Sequence, residues 1–254
     1  MANEFFWYDV MTTDTKAAAR FYADVVGWGT QEVGGDMEYT MFTVDGQGVA
    51  GLMPIPDEVV QHGGKPAWLG YIHVDDVDEA AEALKREGGT VHREPFTVPD
   101  TIRLAVVSDP QGAGFYLAKG LSKEVPEDLP AGTPGTIGWR ELYAGDDKAA
   151  LAFYGKMFGW TETSILPMGE MGDYHLFATG GSDAVGGIMT RPPAIPRSFW
   201  GYYFNVPAID SAAGRVKAGG GAVVMGPQEV PGGQWIIQCT DPQGANFALV
   251  APAR

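Results

Sequence analysis

The residues best suited to chemistry are carboxylates set beside aromatic rings. Trp7 is followed two residues later by Asp9, and Trp139 two residues later by Glu141. Extended strands place residues i and i+2 on one face. Trp7, Asp9 and Met11 therefore share a face, as do Trp139, Glu141 and Tyr143. An acid held among buried rings gains a raised pKa and can act as a general acid or base, whereas one at a wet strand edge cannot. Further along, Leu69, Tyr71 and His73 share a face, and so do Gly201, Tyr203 and Asn205. His73 has the side chain suited to proton transfer near neutral pH, and also reads as a satisfied structural histidine. Asp9, Glu141 and His73 are the catalytic candidates.

Metal chemistry finds little support. The four histidines are His62, His73, His92 and His175, and no HxH or HxxxE spacing puts two ligands on one face. His62 sits in a glycine loop and His92 at a strand end. Cys239 is the single cysteine, so no intrachain disulfide forms, and its strand-like surroundings suit a buried thiol. The glycine clusters Gly34-Gly35, Gly88-Gly89 and Gly219 to Gly221 fit no phosphate-loop spacing. The sequence predicts no metal and no cofactor.

The elements that position these residues occur twice. At an offset of 132 residues, Trp7 to Trp28 aligns without gaps on Trp139 to Trp160, with 9 of 22 pairs identical. Trp68 to Ala118 aligns on Trp200 to Val250, with 20 of 51 identical. Between these blocks the register drifts by about four residues, as a loop insertion would make it. The expected domains are 1–118 and 137–254, joined by a Pro- and Gly-rich linker at 119–136.

Each copy reads as strand, helix and strands, twice over. In the first, 6–11 is a strand, Asp14 an N-cap, 16–26 a helix and Gly27 its stop. Strands follow at 39–44 and 47–53. Then 68–74 is a strand, 77–87 a helix begun by Asp75 or Asp76, and 91–95, 104–108 and 115–118 are strands. Asp109-Pro110-Gln111-Gly112 is the last hairpin turn. This is an α+β chain of four βαβββ units, its helices on one face of antiparallel-rich sheets.

With 17 basic and 32 acidic residues, the chain carries a net charge of −15, which repels nucleic acid and anionic lipid and suits cationic partners. Its start has no basic, apolar leader, and no run approaches a membrane span. A cytoplasmic protein with no nucleic-acid or membrane partner is expected.

The order Asp14, Phe21-Tyr22, Gly27-Trp28, then His73-Val74-Asp75-Asp76-Val77-Asp78, then Asp109-Pro110-Gln111-Gly112 resembles the vicinal oxygen chelate superfamily of glyoxalases, bleomycin-resistance proteins and extradiol dioxygenases. The second copy keeps Asp146, Phe153-Tyr154, Gly159-Trp160, Asn205-Val206 and Asp241-Pro242-Gln243-Gly244. The resemblance implies two cup-shaped sheets with helices outside, and one chain able to act as a monomeric pseudo-dimer. It places metal ligands at Trp7, Leu69 and Tyr116, and at Trp139, Gly201 and Ala248, none of which is an ordinary ligand. It also implies that each first strand completes the other copy's cleft. Trp139 and Glu141 would then face Tyr71, His73 and Tyr116, while Trp7 and Asp9 would face Tyr203, Asn205 and Ala248. Tyr39, Tyr174 and Trp235 are further wall candidates, and Met11 and Tyr143 lie on the same strand faces. The expected partner is a planar small molecule, neutral or cationic, a metabolite or antibiotic bound without metal. The alternatives are an enzyme of the superfamily (lyase, isomerase, dioxygenase or hydroxylase) using Asp9, Glu141 or His73, and a module with both cups filled by side chains.

Overall fold

A computed structural model describes residues 3–34, 38–121 and 129–254. The first copy runs β1 (Phe5–Thr12), α1 (Thr15–Val26), β2 (Gly29–Val33), β3 (Tyr39–Val44), β4 (Gln47–Pro54), α2 (Asp57–Gln61), β5 (Ala67–His73), α3 (Val77–Arg86), β6 (Thr90–Val98), β7 (Ile102–Ser108) and β8 (Gly114–Gly120). The second runs β9 (Ile137–Ala144), α4 (Asp147–Phe158), β10 (Thr161–Pro167), β11 (Asp173–Ala178), β12 (Gly186–Thr190), β13 (Phe199–Asn205), α5 (Ile209–Ala218), β14 (Ala222–Glu229), β15 (Trp235–Thr240) and β16 (Asn246–Ala251). The expected strands and four main helices form. The short helix α2 was not foreseen, and the exposed edge strand β2 is a third strand that the βαβββ pattern allowed without giving its bounds. Their side chains are largely in water, so they carry no hydrophobic periodicity. Part of the linker lies outside the described residues.

The caps follow the sequence chemistry. Asp14 accepts from the Ala17 amide at 2.9 Å, Asp146 from Ala149 at 2.8 Å, and Asp76 from both Asp78 and Glu79. Each satisfies amides that a helix start leaves open. Gly27 and Gly159 end α1 and α4 at φ of 94° and 73°, a conformation that Cβ disfavours.

The strands order as β2-β3-β4-β1-β5-β8-β7-β6 and β10-β11-β12-β9-β13-β16-β15-β14. Parallel pairs β1·β4 and β5·β8, and β9·β12 and β13·β16, lie centrally, with antiparallel pairs outside. No helix among the described residues is long and apolar enough to cross a membrane.

Contacts gather the chain into two compact units that each take half of either repeat. Unit one holds β5–β8 with α3 and β10–β12 with α4. Unit two holds β2–β4 with α1 and β13–β16 with α5. The boundary passes through β1 after Phe6, through β5 after Trp68, through β9 after Trp139 and through β13 after Trp200.

The same buried relay ties together each unit. In unit two the Trp68 indole donates to the Tyr22 hydroxyl at 2.8 Å, which donates to Asp241 Oδ2 at 3.0 Å. In unit one Trp200 donates to Tyr154 at 2.9 Å, and Tyr154 to Asp109 Oδ2 at 3.1 Å. The other carboxylate oxygen holds the Asp-Pro-Gln-Gly turn, accepting from Gln243 and Ala245, and from Gln111 and Ala113. Every polar atom of the relay thus has a partner, which a buried network requires. Burial raises the carboxyl pKa of Asp109 and Asp241. Burial, and then the Asp241 charge, push Tyr22 well above the usual phenol range. The Phe-Tyr pairs of α1 and α4 are buried here, as their helical spacing predicts.

Candidate functional site

The strand β1 builds a polar cluster on half-buried rings. The Trp7 indole N–H lies 2.9 Å from both Asp9 Oδ1 and the Tyr39 hydroxyl, and that hydroxyl donates to the same Oδ1 at 2.8 Å. Asp9 is 1% exposed, while Trp7 and Tyr39 remain half-buried. β1 and β4 pair with Asp9 opposite Gly51. A side chain at Gly51 would overlap the Tyr39 hydroxyl and the Asp9 carboxylate. Gly48, beneath Trp7 and Met41, leaves similar room. Glycine is needed where another group closes on the backbone. Two donors fix one oxygen of Asp9, so the carboxylate sets the indole and phenol in place. Met11 is half-buried at the far end of the same strand.

The second copy keeps the residue types. Glu141 is 7% exposed and lies opposite Gly187, where a side chain would overlap the Tyr174 ring. Tyr143 stacks on Phe199 at 4.9 Å, with planes 13° apart. Trp139, however, packs against Tyr203, Ala248, Val250 and Ile236. β13 and β16 pair with Tyr203 opposite Ala248, and the small alanine leaves the space an indole fills. Gln238 donates to the Tyr203 hydroxyl at 2.8 Å. Ile236, rather than Trp235, is the β15 side chain on this cluster. Trp235 is instead covered by the Arg254 guanidinium at 5.0 Å.

In unit one the matching pair of β5 and β8 sets Tyr71 opposite Tyr116, and the two rings stack at 4.2 Å. Phe6 meets Tyr71 and His73 edge-on. Among the described residues, the buried His73 Nδ1 has no hydrogen-bond partner. The Asn205 amide donates to Thr136 at 3.0 Å, and its backbone bonds bracket the segment before β9.

Sequence reasoning missed Gly51, Gly187, Gln238, Ile236, Phe6 and Phe199. A glycine opposite the acid in both copies was the available signal. It fell in the stretch where the repeat register drifts, since Gly51 and Gly187 are 136 residues apart. Cys239 is buried, and burial pushes its thiol up to about 12, so it is no nucleophile at neutral pH.

The positions where a metal would be held carry Trp7, Leu69 and Tyr116, and Trp139, Gly201 and Ala248. Tyr116 is committed to its stack on Tyr71 and Ala248 to the Trp139 cluster. Among the described residues there is no group of three or more His, Cys, Asp or Glu side chains able to hold a metal. This donor chemistry does not fit a divalent ion.

Two grooves of about 470 and 320 Å³ lie on unit one, beside α3 and α4. Neither is lined by the residues of β1 or β9 described above.

Comparison with known proteins accords with this architecture. The model of the glyoxalase/bleomycin resistance protein/dioxygenase superfamily matches residues 5–117 and 136–249. A Mycobacterium bovis protein named "Putative glyoxylase CFP32" is 35% identical over 252 residues, covering 97% of this chain and 94% of that one. The anthracycline biosynthesis protein DnrV of Streptomyces peucetius is 30% identical over 263 residues, covering 96% and 91%. Among solved structures, the Mn(II)-bound glyoxalase of Novosphingobium aromaticivorans superposes with a TM-score of 0.68 at 19% identity, covering 99% of this chain and 82% of that one. The 2,2',3-trihydroxybiphenyl 1,2-dioxygenase of Sphingomonas wittichii gives 0.70 at 12% identity, covering 99% and 91%. With both repeats matched in order, the chain belongs to the glyoxalase/bleomycin resistance protein/dioxygenase superfamily.

Proposed function

We propose that this protein binds a planar aromatic small molecule against the Trp7–Asp9–Tyr39 cluster, without a metal. The observation that carries this reading is the locked pair of half-exposed rings at a position where the superfamily would place a metal donor. Rings held by a buried carboxylate offer stacking surface at small entropic cost, and their faces suit a flat guest. The relatives named for anthracycline biosynthesis support a polycyclic aromatic ligand.

Catalysis is the second reading, favoured by the relatives named as glyoxylases. In it, Asp9 or Glu141 would exchange the proton, with His73 as a further candidate. The two donors on Asp9 Oδ1 favour a positioning role for that carboxylate. Glu141, 7% exposed on the matching strand, is then the acid to test first.

The test is fluorescence titration with a hydroxylated anthraquinone, for wild type and for Trp7→Ala, Tyr39→Phe and Glu141→Gln. Binding should weaken at least about tenfold in Trp7→Ala, equivalent to about 1.4 kcal/mol. Equal affinity in wild type and Trp7→Ala would overturn the assignment. Turnover of a thiohemiacetal or catechol that disappears in Glu141→Gln would install the catalytic reading instead.

A further inference from the structure

The two units finish their paired helices differently. In unit two the guanidinium of Arg215, on α5, donates to the Val25 carbonyl in the last turn of α1, at 2.9 Å from Nη2 and 3.2 Å from Nε. Its Nη1 also reaches the Ser211 hydroxyl at 3.3 Å. A cation there satisfies a carbonyl that the helix end leaves open, and it meets the negative end of the helix dipole.

In unit one the repeat places Ala83 at the Arg215 position, Met157 at the Val25 position and Glu79 at the Ser211 position. The guanidinium is gone, and a carboxylate stands where a hydroxyl served. At this place lies the groove of about 320 Å³, lined among others by Asp75, Glu79, Ala83, Glu87 and Met157. Arg86 and Lys156 also line it, and Lys156 is bound to Glu87 at 2.6 Å. Counting Asp76 as well, four carboxylates face two cations, leaving a net charge of −2 on the lining.

We propose that this groove of unit one binds a guanidinium group from outside the chain, in the position that Arg215 fills in unit two. The ligand is a small alkylguanidine or an arginine side chain of a partner. Its planar donors would reach the end of α4 and the Glu79 carboxylate together, a geometry that guanidinium meets and ammonium does not. This site is separate from the aromatic cluster on β1 and does not rest on the function proposed for it.

The experiment is an NMR chemical-shift titration with ethylguanidinium, with ethylammonium as control. Wild type should show saturable binding centred on residues near Ala83 and Met157, with a Kd on the order of 1 mM for so small a ligand. Ala83→Arg should fill the groove from within and weaken binding at least about tenfold. Glu79→Gln, an exposed change that keeps the fold, should weaken it about threefold to tenfold. Arg215→Ala should lower Tm by about 3 °C and open a second site near Val25, with ethylguanidinium restoring part of the lost Tm. An acetylated arginine amide that binds more tightly than ethylguanidinium would identify a protein partner as the source. Equal affinity would identify a free guanidine. Absence of saturable shifts in wild type, equal shifts with ethylammonium, or unchanged binding in both Ala83→Arg and Glu79→Gln would overturn the proposal.

Discussion

The strands β1 and β9 begin from one motif and end in different places. Each carries a tryptophan, an acid two residues on, and a glycine opposite that acid. Trp7 is held by Asp9 and Tyr39, whereas Trp139 lies on Tyr203 and Ala248. The strand pairs in the two copies also differ. Where β5 and β8 carry Tyr71 and Tyr116, the rings fill the face by stacking on each other. Where β13 and β16 carry Tyr203 and Ala248, space remains and an indole takes it. Strand pairing thus sets whether a tyrosine ring or an alanine methyl stands opposite the tyrosine of the central strand. Close packing makes such choices discrete.

The largest way to break this comparison is to empty the second cluster. Trp139→Ala should destabilise the protein by about 2 kcal/mol, read by urea unfolding, because it strips a half-buried indole from the Tyr203, Ala248 and Val250 cluster. Ala248→Tyr should make β16 resemble β8 and expel Trp139, at about 1–3 kcal/mol of overpacking. A red-shifted tryptophan emission would mark the expelled indole. An unchanged spectrum and stability would refute the steric account.

The relay offers a sharper comparison, because the two units build it alike. Tyr22→Phe and Tyr154→Phe should each cost about 1–3 kcal/mol by leaving a buried carboxylate oxygen and an indole N–H without their partner. Equal costs would support equivalence of the two units. A cost confined to one would show that a single unit carries the stability.

A smaller effect follows from pH. Burial raises the pKa of Asp109 and Asp241 in the folded state. Their contribution to stability is therefore fully present below the ordinary carboxylate pKa of about 4, and it is lost as pH rises through the raised folded values. Asp241→Asn should flatten that decline when unfolding free energy is measured across the range, even though it weakens the relay at every pH. A decline of the wild-type slope in the variant would assign it to other groups. Smallest of all, Cys239 should react with a thiol reagent only at the rate of global opening, since its thiol is buried and raised to about 12. Rapid labelling of the native protein would contradict its placement.

The fold was legible in the sequence because duplication prints each local signal twice. Asp14 and Asp146 as caps, Gly27 and Gly159 as stops, and the two Asp-Pro-Gln-Gly turns all act through backbone neighbours a few residues away. Alternation along β1 was enough to put Trp7 beside Asp9. These features depend on short-range geometry, which sequence order fixes directly.

What the sequence left open involves partners far apart in the chain. It could not show that Tyr22 bonds Asp241 across 219 residues, or that the compact units each combine halves of opposite repeats. Nor could it show that Tyr116 stands opposite Tyr71 and Ala248 opposite Tyr203, because strand pairing sets those partners. Local propensity and spacing determined the elements and their order. Tertiary packing decided the rest, since a buried polar atom or an empty volume is satisfied by whichever group the fold brings near, irrespective of its place in the chain.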